Sequence, residues 1–341
     1  MLIILFFLFS ALFFFFLNTL FLKYNFLLDK KILPHKSFSS NDKTPLSGGF
    51  LIIICSFFFY EKYYLIFFLL IFLLGIFSDL LLIKSPLKKF IFQVIIISMF
   101  TVFVDLRISS TKIFFLDLFI NNFFFSVIFS IFCLLILING SNFLDGLNTL
   151  VAGYYILVIL TILYVGVNYK INFNSHFFIY LLMSLIIIFI YNFFSKIYFG
   201  DAGVFLLSFI IGTELIKISN LNLQSSSQFI SPIFIVLLLW YPAFENLFSI
   251  IRKIFMRTNP SKPDNRHLHH LLFFFVKKKI IDNHYTNSFS ANIINLYNLI
   301  IFIIGSNYFY NTKYLSYLLI CNIAIYFLCF YFLLKVNTAN K

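Results

Sequence analysis

Residues 123–150 decide the fold of this chain, with FFFSVIFSIFCLLILI over 123–138 and NGSNFLDGLNTL over 139–150. The first part is apolar enough for a membrane span, and a second apolar run begins at residue 151. Between the two runs lies a polar island, Asn139–Leu150, which carries one carboxylate and three carboxamides. Polar groups are costly beside a bilayer, so we expect this island to have a function.

Three further polar islands lie in similar apolar flanks. They are Ser78-Asp79, Gly200-Asp201-Ala202-Gly203, and the run Pro263, Asp264, Asn265, Arg266, His267, Leu268, His269 and His270. Each borders a long apolar run, so each is expected close to a membrane surface. We interpret the four islands as parts of one dispersed active site.

The composition is that of an integral membrane protein. Of the 341 residues, 62% are hydrophobic and only 11% are charged, which leaves too little polar surface for a soluble globule. Apolar stretches repeatedly reach the ~20 residues that a helix needs to cross a bilayer. The expected fold is an all-α, polytopic helical bundle with about eleven transmembrane helices, near residues 2–22, 47–60, 63–78, 90–105, 122–139, 149–167, 176–194, 203–218, 229–250, 290–308 and 314–335.

The basic residues indicate how the bundle is oriented. When the loops are assigned alternately to the two sides, 19 of the 25 Lys and Arg residues fall on one side. The positive-inside rule puts that side in the cytoplasm, together with Asp79, Asp145, Asp201 and the histidines at 267–270. The net charge of +13 is spread over short loops in the same way, so no nucleic-acid partner is expected.

The chain is expected to form a single membrane domain over 1–341, since no repeat or linker divides it. Its longest loop, 251–289, is cytoplasmic in this topology and long enough for a short helix or hairpin. The first 22 residues carry neither a charged leading segment nor a cleavage site, which predicts a retained span. The four cysteines have no paired spacing, which predicts neither a disulfide framework nor a zinc site.

The island at 139–150 contains two pairs of polar residues at helical spacing. Asp145 and Asn148 are three residues apart and would share a face if a helix began at Gly146. Asn139 and Asn142 have the same spacing. Carboxamides both donate and accept hydrogen bonds, which suits a sugar hydroxyl or a nucleobase edge. A polar cap followed by a turn between two spans is the alternative.

Asp201 immediately precedes an apolar run, so it is well placed as a helix N-cap. The flanking glycines would allow a phosphate or a hydrated cation to approach the backbone. Mg²⁺ takes one or two protein carboxylates and completes its shell with water and substrate phosphates. A plain N-cap without a metal is the alternative reading.

Basic residues accompany two of the islands. Arg266 with His267, His269 and His270 could hold a diphosphate, although a zinc site or a solvated basic loop would also explain these residues. Lys88 and Lys89 follow Asp79 closely and could contact a lipid phosphate at the headgroup level. Their alternative role is that of positive-inside anchors.

These motifs resemble those of the polyprenyl-phosphate N-acetylhexosamine-1-phosphate transferases, which include the phospho-N-acetylmuramoyl-pentapeptide transferase of peptidoglycan synthesis. The resemblance runs through most of the chain. It rests on TPLSGG at 44–49, GIFSD at 75–79 with Ser85-Pro86, DLRI at 105–108, the island at 139–150, GDAG at 200–203, YPAFE at 241–245 and PDNRHLHH at 263–270.

The resemblance implies a bacterial inner-membrane enzyme that moves a sugar 1-phosphate from a UDP-sugar to undecaprenyl phosphate and releases UMP, with Mg²⁺. It implies Asp201 as the metal ligand, and Asp79, Asp145 and His267 as catalytic residues. The expected substrate-binding residues are Asn142, Asn148, Lys88, Arg266, His269 and His270. A homodimer is left open.

The chain departs from the family pattern at three positions. Ser78 stands where many members have a second acid beside Asp79, Asn148 replaces the second acid of an Asp-Gly-x-Asp pattern, and Val204 replaces a common serine. The PDxxHLH run resembles the branch that initiates O-antigen or other surface polysaccharides. That branch implies UDP-N-acetylglucosamine or a deoxy-hexosamine relative as the donor.

Two other functions remain open at this point. A transporter or flippase of lipid-linked sugars would also need many spans and polar groups, but it would place its binding residues near the bilayer midplane. The acidic residues here lie at span ends instead. A catalytically silent homologue is the second alternative, suggested by Ser78.

Overall fold

The computed structural model describes residues 2–29, 43–171, 173–223, 230–258, 266–280 and 285–338. Within these residues the chain forms α-helices joined by short loops, and the predicted all-α membrane bundle is confirmed. The helices are α1 (Leu2–Tyr24), α2 (Gly48–Phe59), α3 (Lys62–Asp79), α4 (Pro86–Phe103), α5 (Phe114–Ile120), α6 (Phe123–Leu144), α7 (Leu150–Tyr169), α8 (Ser175–Phe193), α9 (Gly200–Leu223), α10 (Pro232–Leu238), α11 (Trp240–Phe255), α12 (Leu268–Lys279), α13 (Thr286–Ser306) and α14 (Thr312–Thr338).

Nine of the eleven predicted spans are helices long and apolar enough to cross a membrane, counted over the described ranges. They are α1, α3, α4, α6, α7, α8, α9, α13 and α14. A multi-pass membrane protein follows from these helices alone. The predicted span at 47–60 corresponds to α2, whose 12 residues make it shorter than a typical span.

The predicted span at 229–250 is not one straight helix, and that prediction is wrong in this respect. It divides into α10 and α11, which are bent by 74° at the break. Pro242 lacks an N–H and its ring crowds the carbonyl four residues earlier, that of Leu238. The Leu238 carbonyl instead accepts a hydrogen bond from the Tyr154 hydroxyl at 2.8 Å, which satisfies the group that the break exposes.

Helix α9 lies at the centre of the bundle and packs against α2, α3 and α6. Of the residues in its most apolar stretch, 94% are buried. Small residues allow this close packing. A Cβ added at Gly75 of α3 would lie 2.2 Å from the Ala202 Cα atom, and one at Gly49 of α2 would lie 2.8 Å from the Gly203 nitrogen. These contacts hold the beginning of α9 beside α3 and the beginning of α2.

Contacts made by described residues mark two opposite ends of the bundle. At one end, Leu46 forms a bridge with Tyr198, next to the start of α9. At the opposite end, the buried Glu214 accepts a hydrogen bond from the Tyr60 hydroxyl and lies 3.1 Å from Lys217 Nζ. We call the end with the Leu46–Tyr198 bridge the site end, and the end with Glu214 and Lys217 the far end.

The long loop at 251–289 contains α12, so the prediction of a short helix or hairpin there is confirmed as a helix. Helix α12 packs against α13 and α14. Its buried residues include His269 and His270 in the first turn, with Leu271, Phe273 and Val276 further along. The loop therefore folds back onto the site end. Of the predicted island at 263–270, Pro263, Asp264 and Asn265 lie outside the described residues.

Candidate active site

Asp201 lies at the centre of one group of polar side chains. Its Oδ2 atom accepts a hydrogen bond from Lys89 Nζ at 3.0 Å and another from Ser78 Oγ. Its Oδ1 atom accepts a hydrogen bond from Asn142 Nδ2 at 2.9 Å. The donors belong to α3, α4 and α6, so helices distant in sequence meet at one carboxylate. We call Ser78, Asp79, Lys89, Asn142 and Asp201 the acidic cluster.

Asp79 holds the first turn of α9. Its carboxylate oxygens accept hydrogen bonds from the backbone N–H groups of Asp201 at 2.9 Å and of Ala202 at 3.0 Å. The first N–H groups of a helix have no partner within the helix, and a carboxylate there also interacts favourably with the helix dipole. The prediction that Asp201 is the N-cap is therefore wrong. Asp201 lies inside the first turn, and the capping carboxylate comes from α3.

Gly200 makes this arrangement sterically possible. Its φ of +74° lies in the left-handed region, and a Cβ atom there would lie 2.8 Å from Asp79 Oδ2. Both the conformation and the close approach favour glycine. The glycine at the start of the Gly-Asp-Ala-Gly motif thus brings the backbone of α9 close to the Asp79 carboxylate.

Of the two adjacent lysines, Lys89 contacts the site. The Lys88 side chain is exposed, and its backbone N–H faces the Ser85 hydroxyl that caps α4. Lys89 is about three-quarters buried and forms the ion pair with Asp201. Helical geometry separates neighbouring side chains by about 100°, so only one of the pair can point at Asp201.

A second group of polar side chains surrounds Glu245 of α11, which is fully buried. Glu245 Oε2 lies 3.0 Å from His267 Nδ1, and Glu245 Oε1 accepts a hydrogen bond from the Leu268 N–H at 3.0 Å. The His269 ring stacks on the His267 ring with centroids 5.4 Å apart, and the His270 ring lies edge-on to it at 5.6 Å. We call Glu245, His267, His269 and His270 the histidine cluster.

His269 is one of two fully buried members of the histidine cluster, with Glu245. Its Nδ1 atom lies 3.9 Å from Glu245 Oε1, beyond hydrogen-bond distance. Burial lowers the pKa of His269 well below its usual range, and the neighbouring His270 and His267 lower it further. His269 is therefore neutral at physiological pH, so it does not attract a phosphate through a positive charge.

The end of α6 connects the two clusters. Asn142 donates to Asp201 in the acidic cluster, and the next residue, Phe143, places its ring 5.0 Å from the His267 ring. A Cβ added at Gly146 would lie 2.6 Å from His270 Nε2. Asp145, half-buried, lies between these contacts as the C-cap of α6. The described residues of the four sequence islands are thus brought together at one end of the bundle.

The expected shared face of Asp145 and Asn148 is not formed. Residues 145–149 are a turn, and α7 begins at Leu150 rather than at Gly146, so the condition for a shared face is not met. The Asn148 side chain donates to Ser195 Oγ at 2.7 Å, and its backbone N–H donates to Asn287 Oδ1 at 2.7 Å. Asn148 is nearly buried and ties the turn to its neighbours, in keeping with the cap-and-turn alternative.

Arg266 is exposed at the edge of the histidine cluster. Its backbone carbonyl accepts a hydrogen bond from the guanidinium of Arg252, which is itself buried on α11. The Arg266 Nη1 atom lies 3.5 Å from Met256 Sδ. Arg252 thereby fixes the backbone just before His267, while the Arg266 side chain faces outward.

The residues around Asp201 suit a hard cation. Asp201 has a partly exposed carboxylate, at 17%; Ser78 brings a hydroxyl oxygen beside it, and the carboxamide of Asn142 contacts it through Nδ2. One carboxylate with neutral oxygen ligands matches Mg²⁺ that completes its shell with water and phosphate. In the described part of the chain, no group of three or more His, Cys, Asp or Glu residues has a metal-binding arrangement.

Fold and site together define a polytopic membrane protein with a charged site at one end of its helical bundle. Residues 62–219, a little under half of the chain, match the model of glycosyl transferase family 4. The matched segment contains the acidic cluster, Asp145 and Asn148. The histidine cluster lies beyond it.

Two curated proteins are similar to parts of the chain. One is the "Probable undecaprenyl-phosphate N-acetylglucosaminyl 1-phosphate transferase" of Bacillus subtilis (strain 168), 32% identical over 40% of this chain and 37% of the relative. The other is the "Undecaprenyl-phosphate alpha-N-acetylglucosaminyl 1-phosphate transferase" of Thermotoga maritima, 27% identical over 23% of each chain. The aligned part of the chain spans well under half the length of these relatives.

Sequence reasoning chose Lys88 over Lys89 as the substrate-binding lysine and gave Glu245 no role. Lys89 carries the same local signal as Lys88, so the sequence alone offered no way to choose between them. Glu245 lies in the YPAFE motif, and its placement in an otherwise apolar stretch was the available signal. A carboxylate buried in an apolar helix needs a partner, and the histidines at 267–270 were candidates.

Proposed function

We propose that this protein transfers an N-acetylhexosamine 1-phosphate from a UDP-sugar to undecaprenyl phosphate and releases UMP. The observation that carries the proposal is the acidic cluster, in which Asp201, Asn142, Ser78 and Lys89 converge from four helices at the site end. The names of the two curated relatives support the acceptor and the sugar class. UDP-N-acetylglucosamine or a deoxy-hexosamine relative is the proposed donor.

The reaction joins two polyanions, so the protein must position them and reduce their repulsion. A phosphate oxygen of the lipid attacks the β-phosphorus of the UDP-sugar, and the bond from that phosphorus to the oxygen bridging it to the α-phosphorus breaks. UMP leaves with that oxygen. A phosphate monoester has a second pKa near ~6, so the lipid phosphate is largely a dianion at neutral pH and needs little help to lose a proton.

The acidic cluster would supply the charge balance. Asp201 would hold Mg²⁺, with Ser78 and Asn142 as neighbouring oxygen ligands, and the bound ion would neutralise phosphate charge. Lys89 carries its charge beside Asp201 and would attract the lipid phosphate to the same place. Asp79 would act by keeping the first turn of α9, and therefore Asp201, in position.

The histidine cluster would bind the donor from the other side of the α6 end. Arg266 is exposed and can form paired hydrogen bonds to a phosphate. His267 would contribute a ring nitrogen, and Asp145 lies between the two clusters, where a nucleotide sugar would extend from one to the other. His269 is neutral and buried, so we assign it a packing role within this cluster.

The site end would face the cytoplasm of a bacterial inner membrane, because nucleotide sugars are made there and the positive-inside rule favours that side. Single-cysteine reporters in a version without the native cysteines test this orientation. Reporters near Lys43 and Lys278 should be protected from an impermeant thiol reagent in intact cells, and one near Lys112 should react. The opposite labelling would separate the site from nucleotide sugars and overturn the proposal.

Purified protein incubated with undecaprenyl phosphate, Mg²⁺ and a panel of UDP-sugars tests the reaction itself. We expect UMP release that requires the lipid, the divalent cation and one class of UDP-N-acetylhexosamine. The Asp201→Asn variant serves as the negative control. Failure of every UDP-sugar to release UMP would favour a silent homologue or a transporter.

A further inference from the structure

Glu245 is a buried carboxylate that the proposed reaction does not use directly. It lies on α11, is 0% exposed, and belongs to the part of the chain beyond the matched family segment. A charge buried without compensation is strongly unfavourable, so its contacts indicate why it is there. Both of its oxygens are directed at the beginning of α12.

The two carboxylate oxygens have different partners. Oε1 accepts the hydrogen bond of the Leu268 N–H, one of the N–H groups that the first turn of α12 leaves unpaired. Oε2 lies 3.0 Å from His267 Nδ1, close enough for a hydrogen bond. His267 is the N-cap residue of α12 but makes no side-chain cap of its own, so Glu245 performs that function from another helix.

An ionised carboxylate can only accept hydrogen bonds, so the proton between these atoms belongs to His267 Nδ1. A neutral imidazole with its proton on Nδ1 carries a lone pair on Nε2. Carboxylates orient histidines in this way at many metal and catalytic sites, where the outer partner sets the tautomer and the ring angle. The geometry here has the same elements.

We propose that Glu245 is a positioning residue that sets the tautomer and orientation of His267, so that the Nε2 lone pair accepts a hydrogen bond from a hydroxyl group of the donor nucleotide. This inference rests on the proposed function for the identity of the ligand. It extends that function by giving the buried carboxylate of α11 a defined role, through His267, at the start of α12.

Selective ¹⁵N labelling of histidine tests the positioning role without any substrate. The His267 signal, assigned with a His267→Ala variant, should report the Nδ1–H tautomer in alkaline solution. In Glu245→Gln the carboxamide N–H can face Nδ1, so the His267 proton should shift toward Nε2. Glu245→Asp keeps the charge and should restore part of the original signal. An unchanged His267 tautomer in Glu245→Gln would overturn the proposal.

Binding of UMP to the purified full chain, measured by calorimetry, tests the consequence. Glu245→Gln should weaken UMP binding about tenfold, in the range seen for residues that orient a ligand through another side chain. In a His267→Ala background, Glu245→Gln should weaken UMP binding by less than about twofold further, because a residue that acts through His267 has nothing left to position.

Glu214→Gln is the matched control. Glu214 is equally deep in an apolar helix, at 3% exposure, but it pairs with Tyr60 and Lys217 at the far end. It should leave both the His267 signal and UMP affinity unchanged. Fully additive losses for Glu245→Gln and His267→Ala would show an independent structural role and overturn the inference. Absence of UMP binding to the unmodified protein would instead overturn the proposed function, so the two failures are distinguishable.

Discussion

The acidic and histidine clusters lie on opposite sides of the α6 end, but they differ in their access to solvent. In the acidic cluster the side chains of Lys89 and Asp201 are 25% and 17% exposed. In the histidine cluster, His267 is 4% exposed, and His269 and Glu245 are not exposed at all. The side chains of the acidic cluster are therefore more open to exchange of ions, whereas those of the histidine cluster are held in fixed positions by the surrounding protein.

The two clusters also balance charge differently. Asp201 is compensated by a flexible lysine and two neutral donors, which a cation or a substrate phosphate can replace. Glu245 is compensated by a histidine ring and a backbone N–H that cannot move without disturbing α12. Substitutions in the acidic cluster are thus expected to affect turnover more than folding, and those in the histidine cluster to affect both.

One device is common to both clusters. Helices α9 and α12 each carry site residues in or just before their first turn, and each begins on a carboxylate supplied by another helix. Asp79 serves α9 and Glu245 serves α12. Such a cap fixes the position of a helix end relative to a neighbour, which a cap from within the same segment cannot do.

The largest effect is expected from Asp201→Asn. The carboxamide keeps the volume but loses the charge that a hard cation requires, so UMP release should fall by roughly two to three orders of magnitude, as for loss of a preorganised charged group. The thermal unfolding midpoint should change little because Asp201 is partly exposed. Asp105→Asn, whose side chain is 73% exposed at the far end, should retain normal turnover. Normal turnover and unchanged Mg²⁺ dependence in Asp201→Asn would contradict the metal assignment.

Lys89→Gln should lower turnover by roughly tenfold, equivalent to about 1.4 kcal/mol. The reason is that Lys89 alone of the lysine pair reaches Asp201. Lys88→Gln is the matched control, because it removes the same charge at the neighbouring position, where the lysine side chain is exposed. It should change steady-state rates by less than about twofold. Equal losses at both positions would mean that the lysines act only as membrane-surface charges.

His269 should make the protein less stable in mild acid. Its folded-state pKa lies well below 6.5, so the unfolded chain binds a proton that the folded protein excludes once the pH falls below about 6.5. The stability loss is at most about 1.4 kcal/mol for each pH unit from this group. Unfolding midpoints measured between neutral and mildly acidic pH should fall, and fall less in His269→Gln. The same slope in both proteins would assign the effect to other groups.

The smallest effect is expected from Ser78→Ala. Asp201 keeps Lys89 and Asn142 as hydrogen-bond donors when the serine hydroxyl is removed, so the loss in turnover should lie between about two- and tenfold. We also expect single-step displacement, and mass spectrometry should find no sugar-phosphate adduct on the protein. A trapped adduct, or a folded but inactive Ser78→Ala, would replace this mechanism with one that uses a covalent or serine-dependent step.

Features that depend on local hydrophobic length could be predicted from the sequence. The all-α bundle and nine of its spans follow from apolar runs, because every backbone group in a bilayer must be paired within a helix. The gathering of Asp79, Asn142 and Asp201 at one end also follows, since each lies at the end of a span and successive spans alternate in direction. These conclusions need only the order and length of the runs.

The details of the site depend on contacts between distant segments, and no local pattern contains them. Asp145 and Asn148 have helical spacing, but a turn held by Ser195 and Asn287 overrides it. Residues 229–250 have the length of a span, but Pro242 breaks the helix where Tyr154 can satisfy the freed carbonyl.

What the sequence by itself determined is the class of fold, the positions of most spans and the set of polar residues at one end. Only the tertiary structure decided that Lys89 and not Lys88 meets Asp201, that Asp79 caps α9, and that Glu245 holds His267. The physical reason is one of range. Burial in a bilayer acts on each segment according to its own composition, whereas a hydrogen bond forms only when packing brings two particular atoms within about 3 Å.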